Sequence, residues 1–114
     1  VLQSGLMGYW TADETAGVSV LADGSGNGRT MLLGTGTSCV IVAGGVSGSA
    51  LGVNGAASGY AENTSFTQSA KTSLSFWVRP SAAPAAAEDT LVSLNNGGNF
   101  RWRVYRPAAS SRLR

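Results

Sequence analysis

Few side chains in this sequence are suited to catalysis. The 114 residues include one cysteine and no histidine, so Ser-His-Asp and Cys-His nucleophile arrangements and the common zinc sites are excluded. Glycoside hydrolysis needs two carboxylates held about 5 to 10 Å apart across a sugar. The acidic residues here are scattered over predicted loops: Asp13, Glu14, Asp23, Glu62, Glu88 and Asp89. We therefore expect a protein that is not an enzyme.

Cys39 has no second cysteine in this chain with which to form a disulfide. It begins an apolar run, residues 39–42, that has the pattern of a strand. In such a setting a cysteine is typically a small buried hydrophobic residue rather than a reactive thiol. We expect that structural role for Cys39.

Charge is distributed unevenly along the chain. Residues 1–70 carry a net charge of −3, and residues 71–114 carry +5. The basic patch fits either an anionic partner, such as nucleic acid or an acidic glycan, or a solvated strand face and tail. The second interpretation is favoured, because the sequence has no glycine-rich phosphate loop and no recognisable nucleic-acid-binding fold. No specific nucleic-acid partner is therefore expected.

Composition and turn residues predict an all-β fold with little helix. Glycine is abundant, at 16 residues, and charged residues make up only 12% of the chain, which suits short strands joined by glycine turns. No apolar run reaches the roughly 18 residues that a membrane-spanning helix requires, so no membrane span is expected. The short predicted strands are residues 6–11, 18–21, 30–33, 39–43, 50–53 and 60–62.

Two stronger patterns lie in the second half of the chain. Residues 74–79 carry large apolar groups on both faces, which is typical of a strand inside a sheet that is covered on both sides. Residues 90–94 and 100–105 flank a five-residue turn of asparagine and glycine, residues 95–99, and this arrangement predicts a β-hairpin. The predicted core residues are Trp10, Leu32, Ile41, Leu51, Phe76, Val78, Leu91, Phe100, Trp102 and Val104.

Three segments have a distinctive order and spacing. They read GLMGYWT at residues 5–11, ADGSGNG at residues 22–28 and LSFWVRP at residues 74–80. Together they resemble the opening half of the concanavalin A-like lectin/glucanase fold in its laminin-G-like form. The resemblance implies an antiparallel β-sandwich of jelly-roll topology. It implies no single function, because the same sandwich hosts lectins, hydrolases, adhesive modules and structural spacers.

The resemblance ends near residue 105. The family's sandwich continues through further strands, including one similar to "WHHVAVTYDG", which this sequence lacks. The resemblance thus implies a partial laminin-G-like sandwich at residues 1–105, incomplete at its C-terminal end, and a basic tail at residues 106–114. The missing strands would come from a continuation of the polypeptide, from a partner chain, or from a reduced sandwich that closes in its own way.

Laminin-G-like relatives often carry an acidic loop of the form "FDGxxDYV", which implies a calcium site. The matching segment here is residues 53–60, where Asn54 and Gly59 stand in place of the two aspartates. Calcium takes six to eight oxygen ligands, mostly from carboxylates. We therefore expect no cofactor, and calcium, the one that the resemblance implies, is disfavoured.

Two classes of function remain open. The first is a non-catalytic structural or attachment module of an extracellular, cell-surface or virion assembly, with other protein chains as partners. The second is a carbohydrate-binding, lectin-like adhesion module that holds a glycan with aromatic rings and with amide or hydroxyl groups. The candidate ligand-binding residues are Tyr60, Asn63, Arg103 and Tyr105.

Overall fold

The structure is a computed structural model, and it describes residues 5–67, 71–80, 87–96, 99–108 and 112–114. These residues form strands and turns and contain no helix, so none of them forms a helix able to cross a membrane. All strand pairs are antiparallel, which confirms the all-β prediction. The strands are β1 Val20–Leu21, β2 Met31–Leu33, β3 Cys39–Ala43, β4 Ser49–Val53, β5 Ala61–Glu62, β6 Asp89–Asn96 and β7 Asn99–Arg106.

The chain divides into two compact units, Val1–Ser75 and Phe76–Arg114. The first unit holds β1 to β5 and the second holds β6 and β7. The strands form three small sheets, ordered β1-β2-β5, β3-β4 and β6-β7. The jelly-roll sandwich and its bounds at residues 1–105 stay predictions.

Strand β2 is the centre of the three-stranded sheet. Its neighbours pair with it through Leu21↔Met31 on one side and Leu33↔Ala61 on the other. Because side chains alternate between the two faces of a strand, Leu33 is buried whereas Leu32 is 55% exposed. The prediction that Leu32 belongs to the core is therefore wrong, and its neighbour Leu33 takes that place.

Strands β3 and β4 form a hairpin in register from Cys39↔Val53 to Ala43↔Ser49. The same alternation buries Cys39 and Ile41 and leaves Val42 exposed. Cys39 is a free, buried residue, as predicted, and burial raises the pKa of its thiol. Deprotonation is thereby disfavoured, as expected for a packing residue.

The buried residues of the first unit come from loop and strand positions that are distant in sequence. The core consists of Ala12, Leu21, Leu33, Cys39 and Ile41, with Trp10, Val18, Met31, Leu51 and Ala61 packed against it. The predicted contributions of Trp10, Ile41 and Leu51 are therefore confirmed. Residues 6–11 lie beside this core without forming the strand that was predicted for them.

Strands β6 and β7 form the predicted hairpin, with pairs from Asp89↔Arg106 to Asn96↔Asn99. Asn95 also pairs with Phe100, so the ladder runs into the segment that was predicted to be a five-residue turn. Residues 97–98 lie outside the described part of the chain. Within the hairpin, Leu91, Trp102 and Val104 are half-buried, and Phe100 is described by its backbone alone.

The predicted strand at residues 74–79 is the largest error. Residues 71–80 form no regular secondary structure and are all exposed, with Trp77 at 83%. Phe76 and Val78, predicted to lie in the core, are 39% and 42% exposed. The apolar pattern indicated a strand covered on both faces, but no strand among the described residues pairs with this segment. Its apolar side chains therefore stay in contact with water.

Candidate functional site

Tyr60, the first predicted ligand-binding residue, lies immediately before β5, and 47% of its surface is exposed. Its backbone is held on both sides, since Gly34 N–H donates to Tyr60 O at 2.8 Å and Tyr60 N–H donates to Ser58 O at 3.0 Å. A Cβ at Gly34 would lie 1.7 Å from Ser58 O, so only glycine allows this close approach. The structure thus presents the Tyr60 ring on a fixed backbone.

Both the nitrogen and the oxygen of the Asn63 side-chain amide form hydrogen bonds within the protein. Its Nδ2 donates to Thr30 O at 2.7 Å, and its Oδ1 accepts from Ser65 N–H at 3.1 Å. The Ser65 hydroxyl lies 3.2 Å from the same oxygen. These bonds tie the residues after β5 to those before β2, so the geometry assigns Asn63 a structural role.

Arg103 and Tyr105 occupy the same face of β7, because they are two residues apart in a strand. The guanidinium carbon lies 4.2 Å from the centre of the Tyr105 ring, at cation–π distance. Arg103 also forms an ion pair with Glu88, just before β6. The structure thus brings these two predicted residues together as a stacked pair.

The four predicted residues do not belong to one unit. Tyr60 and Asn63 are part of Val1–Ser75, whereas Arg103 and Tyr105 are part of Phe76–Arg114. Each pair is therefore a separate candidate, judged by the contacts within its own unit.

Sequence reasoning missed the role of Asp23. Its Oδ1 accepts from the backbone N–H groups of Tyr9 at 3.0 Å and Ser25 at 2.9 Å, and its Oδ2 accepts from that of Arg29 at 2.9 Å. Burial raises the pKa of this carboxyl, but the bonds from Ser25, Arg29 and Tyr9 together hold it well below its usual range. The signal was available, because aspartate before a glycine-rich turn commonly accepts hydrogen bonds from its own loop.

The loop that follows Asp23 holds the N-terminal segment in place. Asn27 Nδ2 donates to Leu6 O at 2.8 Å, and Trp10 Nε1 donates to Arg29 O at 2.8 Å. The Arg29 guanidinium donates to Met7 O and lies 5.2 Å from the centre of the Phe66 ring. Two of the three distinctive sequence segments, residues 5–11 and 22–28, are thus partners in one local structure.

Other carboxylates are likewise bound to their own chain. Asp13 accepts from Ser49 N–H at 2.9 Å, and Glu14 accepts from Ala22 N–H at 2.7 Å. In the second unit, Asp89 accepts from Arg106 at 2.6 Å. Each of these acids accepts a hydrogen bond from a specific donor of its own unit.

The segment at residues 53–60 consists of the last residue of β4 and a connection to β5 that is closed by its own hydrogen bonds. Asn54 Oδ1 accepts from Ala56 N–H at 3.1 Å, and Gly59 N–H donates to Ala56 O at 2.8 Å. Within the described ranges, no group of three His, Cys, Asp or Glu side chains is arranged to hold a metal ion. The expected absence of calcium stays a prediction.

The second unit combines positive charge with exposed apolar surface. It holds six arginines and two acids, a net charge of +4, whereas the first unit carries −2. Both acids form ion pairs, Glu88 with Arg103 and Asp89 with Arg106. The second unit thus combines a net positive charge with exposed apolar side chains.

Comparison with known proteins identifies no relative: no protein-family model, no curated protein and no solved structure matches the chain. The resemblance to laminin-G-like domains therefore stays a prediction that depends on three short segments. Functional inference for this chain has to proceed from its own geometry.

Proposed function

We propose that this chain is a non-catalytic structural or attachment module that docks other protein chains in an extracellular, cell-surface or virion assembly. The observation that carries the proposal is the second unit, where the described strands form a single two-stranded sheet and apolar residues are exposed. Neither feature is typical of a domain that works alone.

The β6–β7 hairpin has little core of its own. Among the residues of this unit whose burial the structure describes, Arg106 alone is buried. A two-stranded hairpin is at best marginally stable in water, and independent stability needs three or more strands or packing against another element. An added surface from a partner would supply that packing.

Exposed apolar side chains indicate where a partner would bury the most apolar area on binding. Trp77 is 83% exposed, and Phe76 and Val78 flank it. Tryptophan in a contact commonly contributes a large share of the binding free energy, because it buries a large apolar area. Trp77 is therefore the residue on which we expect assembly to depend most.

The test is the mass of the isolated chain by light scattering at increasing concentration. We expect species at multiples of the 11.6 kDa chain mass, or a chain that folds fully only when its natural partners are added. Trp77→Ser should weaken this assembly. The control is Tyr60→Ser, which removes an exposed aromatic ring from the first unit and should leave the assembly unchanged. A fully folded monomer at every concentration, unaffected by partners, would contradict the proposal.

A carbohydrate-binding module is the second candidate, and the observation that favours it is the exposed ring of Tyr60. Sugars stack on exposed aromatic faces, and here the ring stands on a backbone that is fixed by Gly34 and Ser58. A glycan array with the intact chain and with Tyr60→Ser tests this function. Binding that the substitution abolishes would favour the lectin-like module, and a blank array would count against it.

A further inference from the structure

We infer that Asn54, at the start of the connection between β4 and β5, is a site of spontaneous covalent modification. Its side-chain amide cyclises onto the backbone nitrogen of Gly55 and is hydrolysed to aspartate and isoaspartate. The site belongs to the first unit, so it is independent of the docking surface proposed for the second. The chain offers an internal comparison, because Asn27 also precedes a glycine, Gly28.

The reaction requires water and no other reagent. The Gly55 N–H loses its proton to solvent, and its nitrogen forms a bond to Asn54 Cγ while the carbonyl electron pair moves to Oδ1. The carbonyl forms again as the Cγ–Nδ2 bond breaks, and Nδ2 takes a proton from water and leaves as ammonia. Water then opens the cyclic imide. Cleavage of the new N–Cγ bond gives aspartate, whereas cleavage of the original peptide bond gives isoaspartate.

The attacking nitrogens are alike at the two sites. Gly55 and Gly28 have φ values of 76° and 68°, in the left-handed region that glycine favours. Nothing lies within 4 Å of the position that a Cβ would occupy at either glycine. Both asparagines are exposed, so solvent reaches both amides. Any difference in reactivity therefore has to come from the hydrogen bonds of the two side chains.

The Asn54 amide is bonded in the sense that promotes attack. Its Oδ1 accepts from Ala56 N–H at 3.1 Å, and its Nδ2 donates to no acceptor in the part of the chain that the structure describes. The Ala56 N–H stabilises the negative charge that develops on Oδ1 when the glycine nitrogen attacks. Because Nδ2 is not held, ammonia can leave without breaking a hydrogen bond of the protein.

The Asn27 amide is bonded in the opposite sense. Its Nδ2 donates to Leu6 O at 2.8 Å and to Ser25 Oγ at 3.0 Å, and it lies 3.4 Å from Met7 O. Rotation of this side chain toward Gly28 N, and departure of its nitrogen as ammonia, would both break these bonds. The fold therefore protects Asn27 and leaves Asn54 reactive.

The modification would change both charge and backbone at the end of β4. A carboxylate in place of the amide takes the net charge of the first unit from −2 to −3. In isoaspartate the backbone continues through the side-chain carbonyl and is longer. This change falls beside the bond from Asn54 N–H to Ser38 O at 3.1 Å, in the connection that leads to Tyr60.

The experiment follows the folded full chain over time at physiological temperature and mildly alkaline pH, which favours loss of the glycine N–H proton. Trypsin separates the three asparagine–glycine pairs into the peptides 1–29, 30–71 and 72–101. Mass spectrometry and an isoaspartate-specific methyltransferase measure the product in each peptide, and a sample taken at the start corrects for modification during digestion. We expect the product to form at least about tenfold faster at Asn54 than at Asn27.

The same measurement in concentrated urea separates the effect of the fold from that of the sequence. Both amides lose their folded contacts in urea, so the rates at Asn54 and Asn27 should differ by less than about threefold. Equal rates in the folded protein would overturn the inference. A ratio that urea leaves unchanged would also overturn it, because the hydrogen bonds would then not be the cause.

The matched variants are Asn54→Gln and Asn27→Gln, since glutamine would have to close a larger ring and reacts more slowly. The first should remove the product from peptide 30–71, and the second should leave the rate at Asn54 unchanged. Product that persists in Asn54→Gln would place the modification elsewhere and contradict the assignment. Aspartate formed without isoaspartate would rule out the cyclic imide.

Discussion

The two units of this chain are held together in different ways. The first unit buries five apolar side chains from four separate segments of the sequence, and the carboxylate of Asp23 accepts hydrogen bonds from three backbone N–H groups. The second unit consists of a long hairpin whose base is held by the ion pairs Arg103–Glu88 and Arg106–Asp89. Its apolar residues are half-buried or exposed.

The difference concerns the source of folding stability in each unit. Burial of apolar area is the main source of folding stability, whereas surface ion pairs contribute little. We therefore expect the first unit to be the more stable of the two. The following predictions test this contrast.

The largest effect should come from the core of the first unit. Leu21→Ala should lower the free energy of unfolding of that unit by about 2 to 4 kcal/mol, because it leaves a cavity beside Leu33 and Ile41. The matched change Leu91→Ala, at a half-buried position of β6, should cost its unit no more than about 1.5 kcal/mol. Amide NMR signals followed in a urea titration would report each unit separately. Equal losses would mean that both units have comparable cores.

Replacing the carboxylate that holds the N-terminal segment should have an intermediate effect. In Asp23→Asn, the side-chain NH2 group faces one of the three backbone N–H donors and cannot accept its hydrogen bond. We therefore expect the free energy of unfolding of the first unit to fall by about 1 to 2 kcal/mol. Glu62→Gln, which neutralises an exposed acid in the same unit, is the control and should be almost neutral. Chemical denaturation of both variants provides the comparison, and a neutral Asp23→Asn would contradict the role assigned to this residue.

The same carboxylate should make the first unit sensitive to acid. The pKa of Asp23 is lower in the folded protein than its unfolded value of about 3.9. The ionised carboxylate therefore contributes fully to the free energy of unfolding above about pH 3.9, and this contribution is lost as the pH falls below that value. The wild-type unit should therefore lose more stability between about pH 4 and 2 than Asp23→Asn does. Urea titrations at these two pH values measure the difference, and parallel losses in the two proteins would show that other groups dominate.

The smallest effect should come from the partly exposed ion pair of the hairpin. Arg103→Ser should change the stability of the second unit by less than about 1 kcal/mol, since solvent screens the pair with Glu88. Raising the salt concentration should reduce even this difference. A thermal scan at low and high salt measures both quantities. A loss that is large and insensitive to salt would mean that Arg103 supports the fold of the hairpin by more than a screened ion pair.

Much of the local structure was predictable from residue types alone. Alternating apolar residues between glycine turns located β2 to β7 to within one or two residues of their observed ends, because strand formation follows a period of two that a short window contains. The burial of Cys39 followed from the same pattern. The placement of Arg103 and Tyr105 on one face of a strand also followed from their spacing, whereas their stacking was seen only in the structure.

The tertiary structure decided which segments pair and which are covered. Residues 74–79 have the pattern of a buried strand, yet they are exposed, because burial depends on a partner elsewhere and not on the segment itself. The hydrogen bond from the Asn63 amide to Thr30 O joins residues that are 33 positions apart in the sequence, and its local pattern did not indicate this bond. The pairing of β2 with β5 and the three donors at Asp23 likewise join distant parts of the chain. A local pattern specifies which backbone conformation a segment prefers, but long-range contacts determine whether that segment is core, edge or surface.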